Sequence, residues 1–177
     1  MSSETPHAGT RTGTSENSVF ELGEGFRAAM RRLAATVNVI TVWDGAKPLG
    51  MTATAVSSLS ADPPSVLFCI NRSASMHAAL SCAPMFCVNV LHREQEDVAK
   101  TFSDSALRDV RFATGAWIQP EDEPPYLRKA QAVILCERIR STSFETHDIF
   151  IGRVRDVHFR QEVDPLIYID GRFSQIR

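Results

Sequence analysis

A hydroxyl-rich strand that stops at two prolines constrains this chain more than any other segment. Residues 48–60 read Pro-Leu-Gly-Met-Thr-Ala-Thr-Ala-Val-Ser-Ser-Leu-Ser, and Asp62-Pro63-Pro64 follows. Proline cannot donate to a strand ladder, so the proline pair ends the strand. Gly50 lets a ligand approach the backbone closely, and the five hydroxyls of this segment offer donors and acceptors. The segment therefore predicts a polar, partly anionic ligand lying along a sheet.

The composition is that of one globular domain and excludes several classes of protein. The 177 residues are 44% hydrophobic and 23% charged, which is ordinary for a globular chain. The formal net charge of −2 lacks the excess of positive charge that is typical of nucleic-acid-binding domains. The longest apolar run, residues 66–70, is far shorter than the about 20 residues that span a bilayer, and no signal peptide is evident. We expect no nucleic-acid or membrane partner and a cytoplasmic location.

The hydrophobic pattern favours strands over helices. Residues 1–18 are predicted to be a disordered tail, followed by a single domain over residues 19–177. Phe26, Met30, Leu33 and Val37 recur at helical spacing, and shorter helices are predicted at residues 75–80, capped by Ser75, and at residues 95–102. Strands are predicted at residues 38–43, 49–60, 65–70, 85–91, 132–140, 149–159 and 166–170. Residues 103–129 are predicted to be irregular. Many strands without βαβ alternation predict a mainly β protein with flanking helices, a closed or partly open antiparallel barrel.

The cysteines leave a metal or redox alternative to be weighed. None of the four cysteines forms a Cys-x-x-Cys pair. His77, Cys82, Cys87 and His92 recur every five residues, and all four are residue types that bind zinc. A period of five residues matches neither a helix face nor a strand face. Buried thiols are therefore favoured over a zinc or redox-thiol module.

Several segments, in order along the chain, resemble the flavin reductase-like family. They are residues 48–54, 69–75, 86–91, 101–103, 147–152 and 165–174, and the resemblance extends over residues 26–174. It implies an FMN-binding split β-barrel that reduces FMN or FAD with NADH or NADPH. It also implies a homodimer, and a separate oxygenase component that receives the reduced flavin by diffusion. The motifs of serine hydrolases, zinc proteases and P-loop nucleotide hydrolases are absent from the sequence.

The same resemblance supplies candidate binding residues. Those on the hydroxyl-rich segment are Pro48, Leu49, Gly50, Met51, Thr52, Thr54, Ala55, Ser57 and Ser58. Those that follow are Cys69, Ile70, Asn71, Ser75, Met76, Thr101, Phe102, His147, Tyr168, Asp170, Gly171 and Arg172. By resemblance Thr52, Thr54, Asn71 and Ser75 anchor the flavin. Tyr168 and Arg172, with His147, shape the nicotinamide site.

His147 is the candidate catalytic residue. In the family a histidine stands five residues before a glycine, usually after Gly-Asp. His147 stands five residues before Gly152, but Thr146 occupies the place of the aspartate, and Asp148 follows. Resemblance puts His147 near the flavin and the nicotinamide, where it helps to place the reduced pyridine nucleotide. Strand alternation puts Asp148 on the opposite face, so it does not replace the missing aspartate. The alternative function is a barrel that binds flavin without oxidising NADH.

Overall fold

The computed structural model describes residues 15–174, and the chain divides into two compact units at Leu33 and Ala34. The first unit contains helix α1, Ser15–Met30, and a turn over residues 31–33. Helix therefore begins inside the predicted tail, and residues 1–14 of that tail lie outside the described residues. The helix also ends before Leu33 and Val37, which the helical spacing had included.

The second unit is built mainly of strands. They are β1 (Ala35–Thr36), β2 (Asn38–Trp43), β3 (Pro48–Ala53), β4 (Val56–Ala61), β5 (Pro64–Asn71), β6 (Met85–Val90), β7 (Trp117–Ile118), β8 (Tyr126–Leu127), β9 (Ala132–Phe144), β10 (His147–Phe159), β11 (Ile167–Ile169) and β12 (Arg172–Ser174). The helices are α2 (His77–Cys82) and α3 (Glu96–Ser103), with 3-10 helices at Arg93–Gln95 and Arg108–Ala113. Over residues 15–174, no helix has the length and apolar character needed to cross a membrane.

Seven antiparallel strands form one sheet in the order β3-β2-β6-β9-β10-β5-β4. Laid flat at a spacing of about 4.8 Å, these seven strands would separate the two edges by about 29 Å. The edge strands β3 and β4 are joined only by Thr54 and Ala55, a link that reaches about 10 Å. The sheet must therefore curl until its edges approach each other. Because β3 and β4 are not neighbours among the described strands, the curled sheet stays split, which confirms the predicted split-barrel class.

The break at Thr54 and Ala55 corrects the single strand predicted over residues 49–60. β3 pairs with β2, whereas β4 pairs with β5. Consecutive strands therefore lie at opposite edges of the sheet, which no local pattern reveals. The Cys69 N–H donates to the Ala55 carbonyl at 3.1 Å, so the junction between the two edges is held against β5.

The two faces of the curled sheet bury separate apolar clusters. The inner cluster includes the fully buried rings of Phe68, Phe86 and Phe150, and the rings of Phe68 and Phe150 stack at 5.5 Å. The outer cluster lies under α3 and includes Val39, Val98, Ala99, Phe102 and Leu166. Helix α3 thus covers the outer face of the sheet near β2 and β3.

One further local prediction needs correction. Helix α2 begins at His77 with Met76 at its N-cap position and no side-chain cap, so Ser75 does not cap it. The last predicted strand, residues 166–170, is present as β11, which pairs with β12 in a short hairpin. Its turn residues Asp170 and Gly171 have φ angles of 52° and 76°, and two positive φ angles are the requirement of a type I′ turn.

Candidate functional site

A cleft between β3 and the β11–β12 hairpin gathers five of the predicted cofactor residues. This cleft, called cleft A, has a volume of about 310 Å³ and is lined by Val37, Thr52, Thr54, Ser103, Tyr168, Gly171, Arg172 and Phe173. Strand β3 contributes Thr52, the link that follows it contributes Thr54, and the hairpin contributes Tyr168, Gly171 and Arg172. Segments from opposite ends of the second unit therefore meet in one cleft.

The two threonines of cleft A differ in what their hydroxyls bind. Strand alternation puts Gly50, Thr52 and Thr54 on the same, outer face of the sheet. The Thr52 Oγ1 donates to the Ala99 carbonyl of α3 at 2.9 Å. Thr54 is exposed, and within residues 15–174 its hydroxyl makes no hydrogen bond. Thr54 is therefore the threonine available to a ligand.

The hairpin supplies an aromatic ring and a positive charge to cleft A. The Tyr168 ring packs against Phe173 at 5.6 Å with an interplanar angle of 66°, and Tyr168 keeps 38% of its surface exposed. Arg172 is exposed and forms no ion pair with any described residue. Cleft A thus offers an aromatic surface, a free hydroxyl and an unpaired guanidinium.

The predicted residues of β5 and β10 meet at one end of the strand pair. Asn71 lies directly opposite His147. The Asn71 Oδ1 accepts from the Ser73 N–H at 2.8 Å and from the Ser73 hydroxyl at 2.7 Å. His147 is exposed, and its Nδ1 lies 2.9 Å from the Thr146 Oγ1. The Nε2 of His147 and the amide nitrogen of Asn71 make no hydrogen bond within the described part of the chain, so both remain available to a ligand.

These residues and those of cleft A lie on the outer face of the sheet. Val66, Phe68 and Ile70 point into the inner cluster, so Leu67, Cys69 and Asn71 point outwards. Ser57 is exposed opposite Leu67 and shares the outer face, whereas Ser58 is exposed opposite Val66 and lies on the inner face. The bond between the Cys69 N–H and the Ala55 carbonyl, at 3.1 Å, brings β5 beside the residue that follows Thr54. The outer face therefore connects Thr54 to the pair formed by Asn71 and His147.

Asp148 points in the opposite direction to His147, as strand alternation predicts. Its Oδ2 lies 2.7 Å from the His77 Nε2, on the inner side of the sheet. Hydrogen bonds, first from His77 and then from Ser143, lower the pKa of Asp148. His77 is therefore engaged with Asp148, and no group of three or more His, Cys, Asp or Glu side chains among residues 15–174 is arranged to hold a metal ion.

A second cleft, called cleft B, contains the predicted residues at the start of β3 and those that immediately precede α2. It has a volume of about 230 Å³ and is lined by Lys47, Pro48, Leu49, Gly50, Ser75, Met76, Arg108, Arg111 and Phe112. Sequence reasoning missed Arg108 and Arg111, because they belong to the segment predicted as irregular. No local pattern marks them, since only the fold brings the 3-10 helix against the start of β3.

Some of the predicted cofactor-binding residues are buried or half-buried and line neither cleft. Phe102 is 1% exposed, and its ring centroid lies 5.2 Å from that of Phe112 and 5.1 Å from that of Trp117. The Thr101 hydroxyl donates to the Asp97 carbonyl at 2.8 Å, and Ile70 is part of the inner cluster. The half-buried Met51 packs against that cluster. A cofactor contact by these side chains stays a prediction.

The sequence and the fold both match known proteins along most of the chain. The family model described as flavin reductase like domain matches residues 30–177. The chain therefore belongs to the flavin reductase-like family.

Individual relatives agree with this membership. The chain is 38% identical over 154 residues, 86% of each chain, to the reductase component of the FADH2-dependent resorcinol hydroxylase of Rhizobium sp.. It is 38% identical over 151 residues, 85% of each chain, to the FMN reductase (NADH) RutF of Pseudomonas syringae pv. syringae. The solved structure of Streptomyces globisporus NADH:FAD oxidoreductase SgcE6, in complex with NAD and FAD fragments, matches with a TM-score of 0.82 and 31% identity, covering 89% of this chain and 94% of that one.

Proposed function

We propose that this protein is an NADH-dependent flavin reductase that reduces FMN or FAD and supplies the reduced flavin to a separate oxygenase. The observation that carries the proposal is cleft A, where Thr54, Tyr168 and Arg172 meet from distant segments. The relatives support it, because one is named as an FMN reductase (NADH) and another as the reductase component of a flavin-dependent hydroxylase.

The residues of cleft A suit a flavin in their chemistry. Tyr168 offers an aromatic face for a planar ring, and the free Thr54 hydroxyl offers a hydrogen bond to the polar edge of that ring. The unpaired Arg172 guanidinium suits an anionic tail. When bound, a flavin supplies a hydride acceptor, which no side chain of this protein can provide. The protein itself binds and orients the reactants, and none of its residues needs to form a covalent bond.

His147 is proposed to position the nicotinamide nucleotide. It is exposed on the same outer face as Thr54 and Ser57, and its Nδ1 lies 2.9 Å from the Thr146 hydroxyl. This contact orients the ring and leaves Nε2 for a carboxamide or a phosphate of the nucleotide. Asn71, opposite His147, adds an amide donor within the same surface.

We further propose that the protein is a homodimer. The C-terminal end of β10 exposes Val157 and Phe159, which lie two residues apart on one face of the strand, the latter with 66% of its surface accessible. Exposed apolar side chains grouped on a sheet indicate a protein interface, and a second copy of this chain is the proposed occupant. Light scattering on purified protein tests this, with a dimer mass expected and a monomer mass contradicting it.

The decisive experiment follows NADH absorbance with purified protein and either FMN or FAD. Rapid NADH oxidation that requires both the protein and added flavin is the expected result. Flavin that copurifies without any NADH oxidation would instead support the alternative, a split barrel that binds flavin without turnover. The rates with FMN and FAD also decide which flavin the protein prefers.

Supply of reduced flavin to an oxygenase is tested separately. The protein and a flavin-dependent oxygenase are placed on opposite sides of a dialysis membrane under low oxygen. Product formation across the membrane is expected if reduced flavin leaves by diffusion. Product that forms only when the two proteins mix would contradict transfer by diffusion.

A further inference from the structure

A pocket at the end of β10 opposite to His147 has three cations in its lining. This pocket, called the basic pocket, has a volume of about 350 Å³ and is lined in part by Arg128, Lys129, His158 and Arg160, whereas no aspartate or glutamate among residues 15–174 lines it. The volume is at the low end of the range for small-molecule sites, about 300–1,000 Å³. His147 begins β10 and His158 lies near its end, on the order of 35 Å away along the strand. The basic pocket is therefore separate from the residues proposed to hold the flavin and the nicotinamide.

The basic pocket opens on the outer face of the sheet. His158 pairs in register with Val133, which belongs to the outer cluster, and the Tyr126 ring centroid lies 6.4 Å from that of His158. Directly paired residues of antiparallel strands lie on the same face, so His158 points outwards with Val133. Strand alternation turns Val157 and Phe159 to the other face, although Phe159, at the strand end, also borders the pocket. The pocket and the surface proposed for the homodimer therefore share only Phe159.

The floor of the basic pocket is apolar and aromatic. Leu127 and Val133 line it and are 1% and 7% exposed. Ile118 and Tyr126, which pair across β7 and β8, are half-buried and also line it. An aromatic ring that covers these side chains removes apolar surface from water on both partners. The floor therefore favours a planar, apolar ligand group.

The three cations of the basic pocket have no counter-charge. Arg128 and Lys129 are exposed and Arg160 is half-buried, and none of them forms an ion pair with any residue from 15 to 174. The Asp156 Oδ2 lies 3.1 Å from the His158 Nε2, and Asp156 lines a neighbouring cavity rather than this pocket. An unpaired group of positive charges attracts an anion.

The backbone that carries Arg128 and Lys129 is fixed before any ligand binds. The Arg128 N–H donates to the Ala116 carbonyl at 2.8 Å, and the Gln131 N–H donates to the Val90 carbonyl at 2.8 Å. Between them Lys129 has a φ of 62°, a left-handed conformation that is uncommon for residues other than glycine. Such a conformation persists where the surrounding structure over-determines it. The connection between β8 and β9 is therefore preorganised to hold both cations at the pocket.

We propose that the basic pocket binds a small aromatic carboxylate, independently of the flavin and the nicotinamide nucleotide. The ring of the ligand packs on Tyr126 and Val133, and its carboxylate accepts hydrogen bonds from Lys129 and Arg160, which are charge-assisted and therefore strong. A neutral ring would leave the cations without a counter-charge, and an aliphatic anion would leave the apolar floor in water. Only a ligand that combines a ring with a negative charge satisfies both parts of the pocket.

The ligand class is tested by calorimetric titration of the full chain with 2-naphthoate as the probe. The matched probes are 2-naphthamide, which keeps the ring without the charge, and acetate, which keeps the charge without the ring. We expect saturable binding of 2-naphthoate, about tenfold weaker binding of 2-naphthamide and no detectable binding of acetate. A wild type that does not bind 2-naphthoate, or that binds 2-naphthamide equally well, would overturn the inference.

The place of binding is tested with Lys129→Gln/Arg160→Gln, which removes two of the three cations. We expect its Kd for 2-naphthoate to rise about 10- to 100-fold. The matched control Arg140→Gln/Arg153→Gln removes two exposed arginines from β9 and β10 and should keep the wild-type Kd. Urea unfolding verifies that both variants are folded. Equal weakening in the two variants would show only general charge attraction and would contradict a site at this pocket.

Two further measurements separate the basic pocket from the other proposed surfaces. Cleft A also combines an aromatic ring with a cation, so Arg172→Gln is titrated with 2-naphthoate and should bind it as the wild type does. Weakening in Arg172→Gln alone would assign the probe to cleft A and overturn the inference. Light scattering on Lys129→Gln/Arg160→Gln should give the wild-type mass, whereas a lower mass would make the pocket a protein interface instead. None of these measurements depends on turnover, so failure of the reductase proposal is distinguishable from failure of this one.

Discussion

The Nε2 of His77 and the Oδ2 of Asp148 lie 2.7 Å apart and join helix α2 to strand β10. The side chains of the pair are only 19% and 11% exposed. His147, the neighbour of Asp148, points to the outer face with the candidate binding residues. The His77–Asp148 pair therefore anchors the strand end that carries His147.

Replacing Asp148 by asparagine is expected to lower the melting temperature in a pH-dependent way. The folded-state pKa of Asp148 is lowered, chiefly by the hydrogen bond from His77, whereas an unfolded aspartate has a pKa of about 3.9. The stabilisation is therefore complete above about pH 4 and is lost as the pH falls through the folded-state value. Melting curves over this range should show the wild type and Asp148→Asn converging at low pH.

The control for that experiment is Asp156→Asn on the same strand. Its Oδ2 lies 3.1 Å from the His158 Nε2, but both side chains are more than half exposed, at 58% and 64%. Exposed pairs contribute little to stability, so no change in melting temperature is expected. An equal loss in the two variants would contradict the role assigned to the buried pair.

Gly152→Ala is expected to destabilise the fold. A Cβ at this position would lie 2.2 Å from the Phe86 Cζ and 2.9 Å from the Cys136 Cβ, and overpacking of a core costs about 1–3 kcal/mol. Urea unfolding measures the loss. Because the collision is with the Phe86 ring, Gly152→Ala/Phe86→Leu should be more stable than the sum of the two single changes predicts. The control Gly23→Ala meets nothing within 4 Å and is expected not to destabilise α1.

Thr52→Val and Thr54→Val are expected to affect different properties. Thr52→Val removes the 2.9 Å hydrogen bond to the Ala99 carbonyl and should cost about 0.5–1.5 kcal/mol of unfolding free energy. Thr54→Val removes a hydroxyl with no partner among the described residues, so stability should hold within about 0.5 kcal/mol. Its flavin Kd should rise about three- to tenfold instead. Urea unfolding and flavin fluorescence titration separate the two effects, and an unchanged Kd for Thr54→Val would remove it from the flavin site.

His147→Ala is expected to raise the KM for NADH about tenfold, because it removes one hydrogen bond to the nucleotide. The matched control is His158→Ala, an exposed histidine further along β10. Steady-state kinetics at saturating flavin should leave the control at the wild-type KM. Equal KM values for NADH in all three proteins would show that His147 does not contact the nucleotide.

The four cysteines should react at different rates with an alkylating reagent. Cys82 is exposed, Cys69 is half-buried, and Cys87 and Cys136 are buried. Burial raises the pKa of the Cys136 thiol to about 12 and raises that of Cys87 further, with Cys136 adding to the effect. Since the thiolate is the reactive form, mass spectrometry of the native protein should show labelling of Cys82 first and of the buried pair only on unfolding. Rapid labelling of Cys87 would instead favour a redox-thiol role.

The local sequence pattern was enough to predict a strand where that strand is apolar and bounded by a turn. The β-branched run at residues 38–43 and the following Asp-Gly predicted β2 with its observed ends. Gly45 adopts a φ of 96° in that turn. Such elements were predictable because their signals are local.

The errors occurred where a distant partner decides the structure. Periodicity extended α1 to Val37, but Ala35 and Thr36 pair with β11 near the end of the chain. The hydroxyl-rich segment was predicted as one strand, but its halves pair with β2 and β5 at opposite sheet edges. In both cases hydrogen bonding to a remote strand outweighs local preference.

The sequence alone determined the mainly β class, the family and most of the residues that line the two clefts. The hydroxyl-bearing residues, the glycines and the strand periodicity are visible directly in the sequence. Only the tertiary structure decided that Thr54 is free while Thr52 is bound, and that Asp148 turns away from His147 to meet His77. It also placed Arg111 under β3 and beside Arg108. These relationships depend on which backbones the curled sheet brings together, and burial and hydrogen bonding across that sheet are set by contacts far apart in the chain.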